Sequence, residues 1–167
     1  MNNTMRLTRS AIAVSIAVFV LSTPLLAQES QTDASKKAEA EMKEAFGKVP
    51  SFIKAFPEHA RAGAWEWLKA IDGPAGAIPP KYAELIRIAV ASQIPCVYCI
   101  YAHTENAKMH GATDEEIHEA VAYAAYTRHW STIANGALLD FEAFKTEWDG
   151  ILAHIKKQSE AKDTTKK

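Results

Sequence analysis

Cys96 and Cys99 are the only two cysteines of this 167-residue chain, and they stand as Cys96-Val97-Tyr98-Cys99 directly after Pro95. Two residues between the sulfurs let both lie on one helical turn and close a small, reversible disulfide. His103 follows four residues after Cys99. On a helix that spacing sets a titratable imidazole one turn from the second sulfur, on the same face. A base at that distance can take the thiol proton, and the thiolate rather than the thiol is the nucleophile. Thiol–disulfide redox chemistry is the predicted activity.

Other uses of a cysteine pair fit less well. Covalent haem attachment wants a histidine directly after the second cysteine, where this chain has Ile100. Zinc needs about four ligands, and His103 with a stray carboxylate leaves the set incomplete, so no metal is expected. A purely structural disulfide is the serious competitor, because exported proteins often simply bond their cysteines. Against it, so short a loop restricts the unfolded chain little, and a bond that stabilises little is better suited to being made and broken. The free amides and dipole at a helix start also favour a sulfur anion. The dipole alone selects Cys96, the more terminal sulfur, whereas the imidazole spacing selects Cys99. The other histidines (His59, His110, His118, His129 and His154) have no such neighbour and are read as surface or packing residues.

The N-terminus reads as a targeting segment. Arg6 and Arg9 precede the uncharged apolar run Ala11 to Leu21, Pro24 follows it, and Ala27 offers a cleavage point before Gln28. The expected layout is a signal peptide over 1–27, a disordered polar leader over 28–35, one helical domain over 36–152 and a polar, Lys-rich tail over 153–167. Export, to the periplasm, would place the cysteines where a disulfide can persist. The formal charge of −1 becomes more acidic once the two leader arginines are gone, which gives nucleic acid no reason to bind. No glycine-rich phosphate loop is present, and no cofactor is expected beyond a redox-active Cys96–Cys99 disulfide.

The elements that must position these residues all read as helices. Ala38 to Phe46 ends at Gly47, and Pro57 opens a helix carrying Ala64, Trp65, Leu68 and Ile71. After the loop Gly73 to Gly76, Pro79-Pro80 starts a helix whose Tyr82, Leu85, Ile86, Ala89 and Val90 predict a buried stripe. Glu84 falls at the edge of that stripe, where Arg87 or Lys81 offers an ion-pair partner three residues away. The cysteine helix runs to His110 and stops at Gly111. Thr113 and Glu116 form a capping box for the next helix, whose Ile117, Ala120, Val121, Ala124 and Ala125 make a small-residue apolar face. Ile133, Ala137, Leu138, Phe141, Phe144 and Trp148 predict one last long helix. The fold class is all-α, a single domain of about six helices.

Glu84, Cys96, Cys99 and His103 together resemble the Glu…Cys-x-x-Cys-x-x-x-His signature of the AhpD-like alkylhydroperoxidases, in the carboxymuconolactone decarboxylase-like superfamily. The resemblance spans roughly Phe46 to Trp148. It implies an exported thiol-dependent peroxidase of peroxiredoxin-type activity that reduces hydroperoxides. Cys99 would attack the peroxide, Cys96 would resolve the product to a disulfide, and His103 would be the base, linked to Glu84 in a proton relay. Decarboxylases of the superfamily lack the cysteine pair, which argues against that activity here. Tyr98 stands where the founding enzymes often have histidine, and either donates to a substrate oxygen or shields the bridge. The resemblance further implies a homo-oligomer, trimer or hexamer, and an electron donor. The family's lipoylated donors are cytoplasmic, so an exported member would need another dithiol or protein reductant. Two further readings remain: a periplasmic thiol–disulfide exchange protein, or a non-catalytic helical binding module with a fixed bridge.

Overall fold

The computed structural model describes residues 23–164, with side chains described from 33 to 162. The elements are α1 (Thr23–Phe46), α2 (Ser51–Lys54), α3 (Glu58–Asp72), α4 (Pro80–Gln93), α5 (Val97–Met109), α6 (Asp114–Gly136) and α7 (Phe141–Thr164). The all-α expectation holds among the described residues, with one more helix than the sequence predicts. The chain divides into two compact units, one ending at Gly76 and one beginning at Ala77, where a single domain over 36–152 is expected.

In the first unit α1 and α2 pack on α3. Gly47, at φ +73°, ends α1 in the left-handed conformation that a glycine adopts without strain. Ala38, Met42, Val49, Ile53 and Trp65 form its core. The polar stretch 28–35, expected as a disordered leader, lies within α1, and Ser35 is buried, donating to the Glu58 carbonyl at 2.7 Å. Residues 1–22, most of the expected signal peptide, lie outside the described residues.

Glu41 anchors α1 to α3 by accepting from Lys69 Nζ at 2.6 Å and from Trp65 Nε1 at 2.7 Å on one oxygen. The Lys69 hydrogen bond first, and the indole second, hold this carboxyl below its ordinary value of 4.5. A carboxyl whose folded value is depressed stabilises the fold fully above the unfolded value, and that contribution disappears as pH falls through the folded one. Denaturant titrations are therefore expected to show the wild-type midpoint dropping below pH 4.5, with the drop smaller in Glu41→Gln. Identical acid dependence in both proteins would remove Glu41 as an acid-sensitive anchor.

In the second unit α4 packs on both α5 and α6, and Ile88, Ala107 and Ile117 form a small core joined by Leu85 and Ala112. Pro79 caps α4 and Pro80 takes its first turn, where a missing N–H costs nothing. The capping box at α6 forms as the sequence predicts, with Glu116 N donating to Thr113 Oγ1 at 3.1 Å and Thr113 N donating to Glu116 Oε2 at 2.9 Å. The other Glu116 oxygen accepts from Lys81 at 2.7 Å, tying the start of α6 to that of α4. That bond, ahead of the Thr113 amide, keeps Glu116 below the ordinary carboxylate range.

Two expectations fail here. The predicted stripe on α4 is not the buried one: Tyr82, Ile86 and Val90 are about half exposed, and the buried residues are Glu84, Ile88 and Ala91. The predicted last helix is broken, because α6 ends at Gly136 and α7 starts at Phe141. Leu138 takes φ +52° at the break, and Asp140 Oδ1 accepts from Ala143 N at 2.8 Å as a helix-start residue does. The α7 helix then runs through the expected tail to Thr164. Its Phe141, Phe144, Trp148, Leu152 and Ile155 stay exposed.

Candidate active site

The site lies wholly in the second unit, where α4 meets the start of α5. Cys96 is the residue before α5, with its side chain accepting from Cys99 N at 3.3 Å. Its own amide donates to the Ala91 carbonyl near the end of α4 at 3.0 Å, and its carbonyl accepts from Ile100 N at 2.9 Å. These bonds fix the first turn of α5 against α4. Cys96 and Cys99 are joined in a disulfide with their Cα atoms 5.3 Å apart. Both are partly exposed, so solutes can reach the bridge.

Glu84 is 5 % exposed in the middle of α4. A carboxylate that deep must be fully hydrogen-bonded or it destabilises the fold. It is: Oε1 accepts from Arg87 Nη1 at 2.6 Å, and Oε2 meets His103 Nδ1 at 2.7 Å. Glu84 therefore meets both residues the sequence reading set beside it, Arg87 on one oxygen and His103 on the other. Lys81, the other offered partner, is committed to Glu116. A carboxylate that already accepts from a guanidinium has only acceptors to offer, so the ring nitrogen donates to it. That assigns the hydrogen to Nδ1 and leaves Nε2 as the nitrogen that can take a proton.

The spacing of Cys99 and His103 predicts an imidazole–sulfur hydrogen bond. In this bridged state the hydrogen bond of His103 goes to Glu84 and, among the described residues, none joins the ring to a sulfur. Two sulfurs bonded to each other carry no proton to donate, so this bridged state offers a base nothing to take. Tyr98 is 84 % exposed. Its ring and hydroxyl are open to solvent. Among the remaining histidines, His129 packs edge-on against Trp130 and His154 pairs with Gln158, each within its own helix.

An open groove of about 430 Å³ lies elsewhere, between α4 and α6, lined by Val90, Ile94, Tyr123 and Thr127 among others. None of Glu84, Cys96, Cys99 or His103 lines it. Its apolar walls suit another protein surface better than a reactive oxygen.

The second unit thus sets a two-cysteine bridge at a helix start and, on the neighbouring helices, a buried Glu84 paired with a partly exposed His103. The chain belongs to the carboxymuconolactone decarboxylase family, whose model matches residues 51–139, more than half of its length. It is similar to "Uncharacterized protein 4 in cox locus" of Paracoccus denitrificans, 34% identical over a 92-residue alignment, with 52% of this chain and 83% of that one covered. Its fold is similar to the crystal structure of the alkylhydroperoxidase AhpD core from Rhodospirillum rubrum, with a TM-score of 0.58 and 24% identity, over 71% of this chain and 90% of that chain.

Proposed function

We propose that this protein is a thiol-dependent peroxidase that reduces hydroperoxides through the Cys96–Cys99 dithiol, and that it works after export. The observation that carries the reading is the buried Glu84, hydrogen-bonded to His103 Nδ1 at 2.7 Å one helical turn beyond Cys99. In the reduced protein His103 Nε2 takes the Cys99 proton. The thiolate attacks the terminal, hydrogen-bearing oxygen of the hydroperoxide, the O–O bond breaks, and the departing alkoxide takes the proton held on His103 Nε2 to leave as alcohol. Cys99 is now a sulfenic acid. Cys96 attacks its sulfur, water leaves, and the disulfide forms. A dithiol reductant then returns both thiols by exchange and becomes a disulfide itself. Cys96 suits the leaving position in that exchange, because the Cys99 amide aimed at its sulfur steadies a developing thiolate.

A peroxide-consumption assay with purified protein and a dithiol tests this. Turnover with an organic hydroperoxide supports it. Exchange of the bridge with dithiols but no peroxide consumption would favour the thiol–disulfide exchange reading instead. A bridge more reducing than about −300 mV would mark a structural bond and sink both.

The protein is further proposed to act as a homo-oligomer in which α7 of one copy covers the α4/α6 groove of another. The apolar residues of α7 recur at helical spacing from Phe141 to Ile155 and are exposed, as are Tyr82, Ile86 and Val90 along the groove. Covering that stretch of α7 would bury on the order of 600 Å² of α7 and a similar area of the groove, together about the 1,200 Å² of a stable interface, and head-to-tail repetition of the contact can close a ring. Light scattering on the wild type is expected to give a multiple of the chain mass, with a trimer or hexamer favoured by the resemblance, and Trp148→Glu should lower it. A monomer at tens of micromolar wild-type protein would overturn the assembly.

A further inference from the structure

The second oxygen of Glu84 points to a residue outside the Glu…Cys-x-x-Cys-x-x-x-His pattern. Arg87 lies three residues after Glu84 on α4, and its Nη1 donates to Oε1 at 2.6 Å while Oε2 meets His103. The carboxylate is nearly buried, and Arg87 and His103 are each about a quarter exposed. One oxygen therefore serves each partner, and the carboxylate has little room to turn. A guanidinium has donors only, so whatever group stands at position 84 must turn an acceptor towards Arg87.

We propose that Arg87 is a positioning residue of this site: by holding Oε1 it presents Oε2 to His103, keeping the ring hydrogen on Nδ1 and leaving Nε2 as the nitrogen that accepts. Its effect on turnover rests on the peroxidase reading. Its effect on the imidazole stands on geometry alone.

The constraint has a consequence that simple packing would not produce. In Glu84→Gln the side chain keeps its shape but offers one oxygen and one NH2. Arg87 claims the oxygen, which turns the NH2 to His103. Nδ1 must then accept, and the hydrogen moves to Nε2, the wrong nitrogen for receiving the Cys99 proton. Removing Arg87 as well frees the amide to turn its oxygen back to the ring.

The test is nitrogen NMR of the histidine ring at mildly alkaline pH, where an ordinary imidazole is neutral. The His103 signal is assigned by its loss in His103→Ala. Wild type is expected to carry the hydrogen on Nδ1 and Glu84→Gln on Nε2. Glu84→Gln/Arg87→Met should return at least part of the population to Nδ1, and Glu84→Gln/Arg87→Lys should not, since lysine is also a donor only. Glu84→Gln keeping its hydrogen on Nδ1 would overturn the proposal, as would identical spectra for Glu84→Gln and its Arg87→Met double variant.

Turnover supplies the second readout. Arg87→Met is expected to lower peroxide consumption roughly tenfold, as loss of orientation does, and Arg87→Lys to recover most of it. Arg87→Lys as impaired as Arg87→Met would refute a positioning role played through one donor. If wild type consumes no peroxide while the ring hydrogen follows the predicted pattern, the peroxidase reading fails and the role of Arg87 stands. If turnover is normal and the ring hydrogen does not move, the inference about Arg87 fails alone.

Discussion

Cys99→Ser is expected to abolish peroxide consumption. A serine hydroxyl is far less acidic than a thiol and cannot form the sulfenic acid that starts the cycle. Cys96 remains in that variant, but the imidazole stands four residues from position 99 and seven from position 96. The converse variant separates the roles. Cys96→Ser should consume one equivalent of hydroperoxide and stop at a sulfenic acid on Cys99 until an outside thiol resolves it. Mass spectrometry after trapping with a sulfenic-acid reagent reads the position directly. The amide that Cys99 donates to Cys96 makes this a real contest, because it favours an anion on the first sulfur. A trapped adduct on Cys96 of Cys99→Ser, with turnover retained, would reverse the assigned order.

The second large effect is expected from His103→Ala. Removing a general base typically costs about 10²–10⁴ in rate. It also strands Glu84, buried with one oxygen unmet, so some loss of stability must be told apart from loss of chemistry. Two comparisons do that. Thermal unfolding reports the stability, and the rate at high pH reports the chemistry. Once hydroxide ionises the thiol, the base is no longer needed, so His103→Ala should approach wild type as pH rises. A deficit of the same size at every pH would make His103 a structural residue.

The site was legible in the sequence because its parts are close in the chain. The cysteine pair and His103 share the start of one helix, so periodicity alone relates them, and the capping box at Thr113 is equally local. Glu84 was placed by resemblance, and the sequence offered Arg87 only as a rival partner for it. Two facing helices let both partners be right, one on each oxygen. Burial was legible less well. Tyr82, Ile86 and Val90 follow the spacing of a core face yet stay about half exposed. Periodicity identifies an apolar face without saying which chain covers it, and a face reserved for a second copy looks the same. The break at 137–140 was missed because the apolar spacing continues across it, with Ala137 and Leu138 in step with Ile133 and Phe141. Leu138 adopts the left-handed conformation that leucine rarely takes, and the signals available were Asn135-Gly136 at the end of α6 and Asp140 as a helix-start residue. The polar stretch 28–35 suggested disorder for want of apolar periodicity, although it lies within α1.

Beneath all of these stands the proposal that, in the reduced protein, an imidazole tied to Glu84 through Nδ1 holds one sulfur ready as an anion. The pH dependence of iodoacetamide alkylation in the reduced protein, followed by mass spectrometry, measures it most directly. One cysteine is predicted to react rapidly with a midpoint well below the ~8.5 of a free thiol, and to return towards that value in His103→Ala. Two slow thiols with ordinary midpoints, unchanged by His103→Ala, would contradict the account.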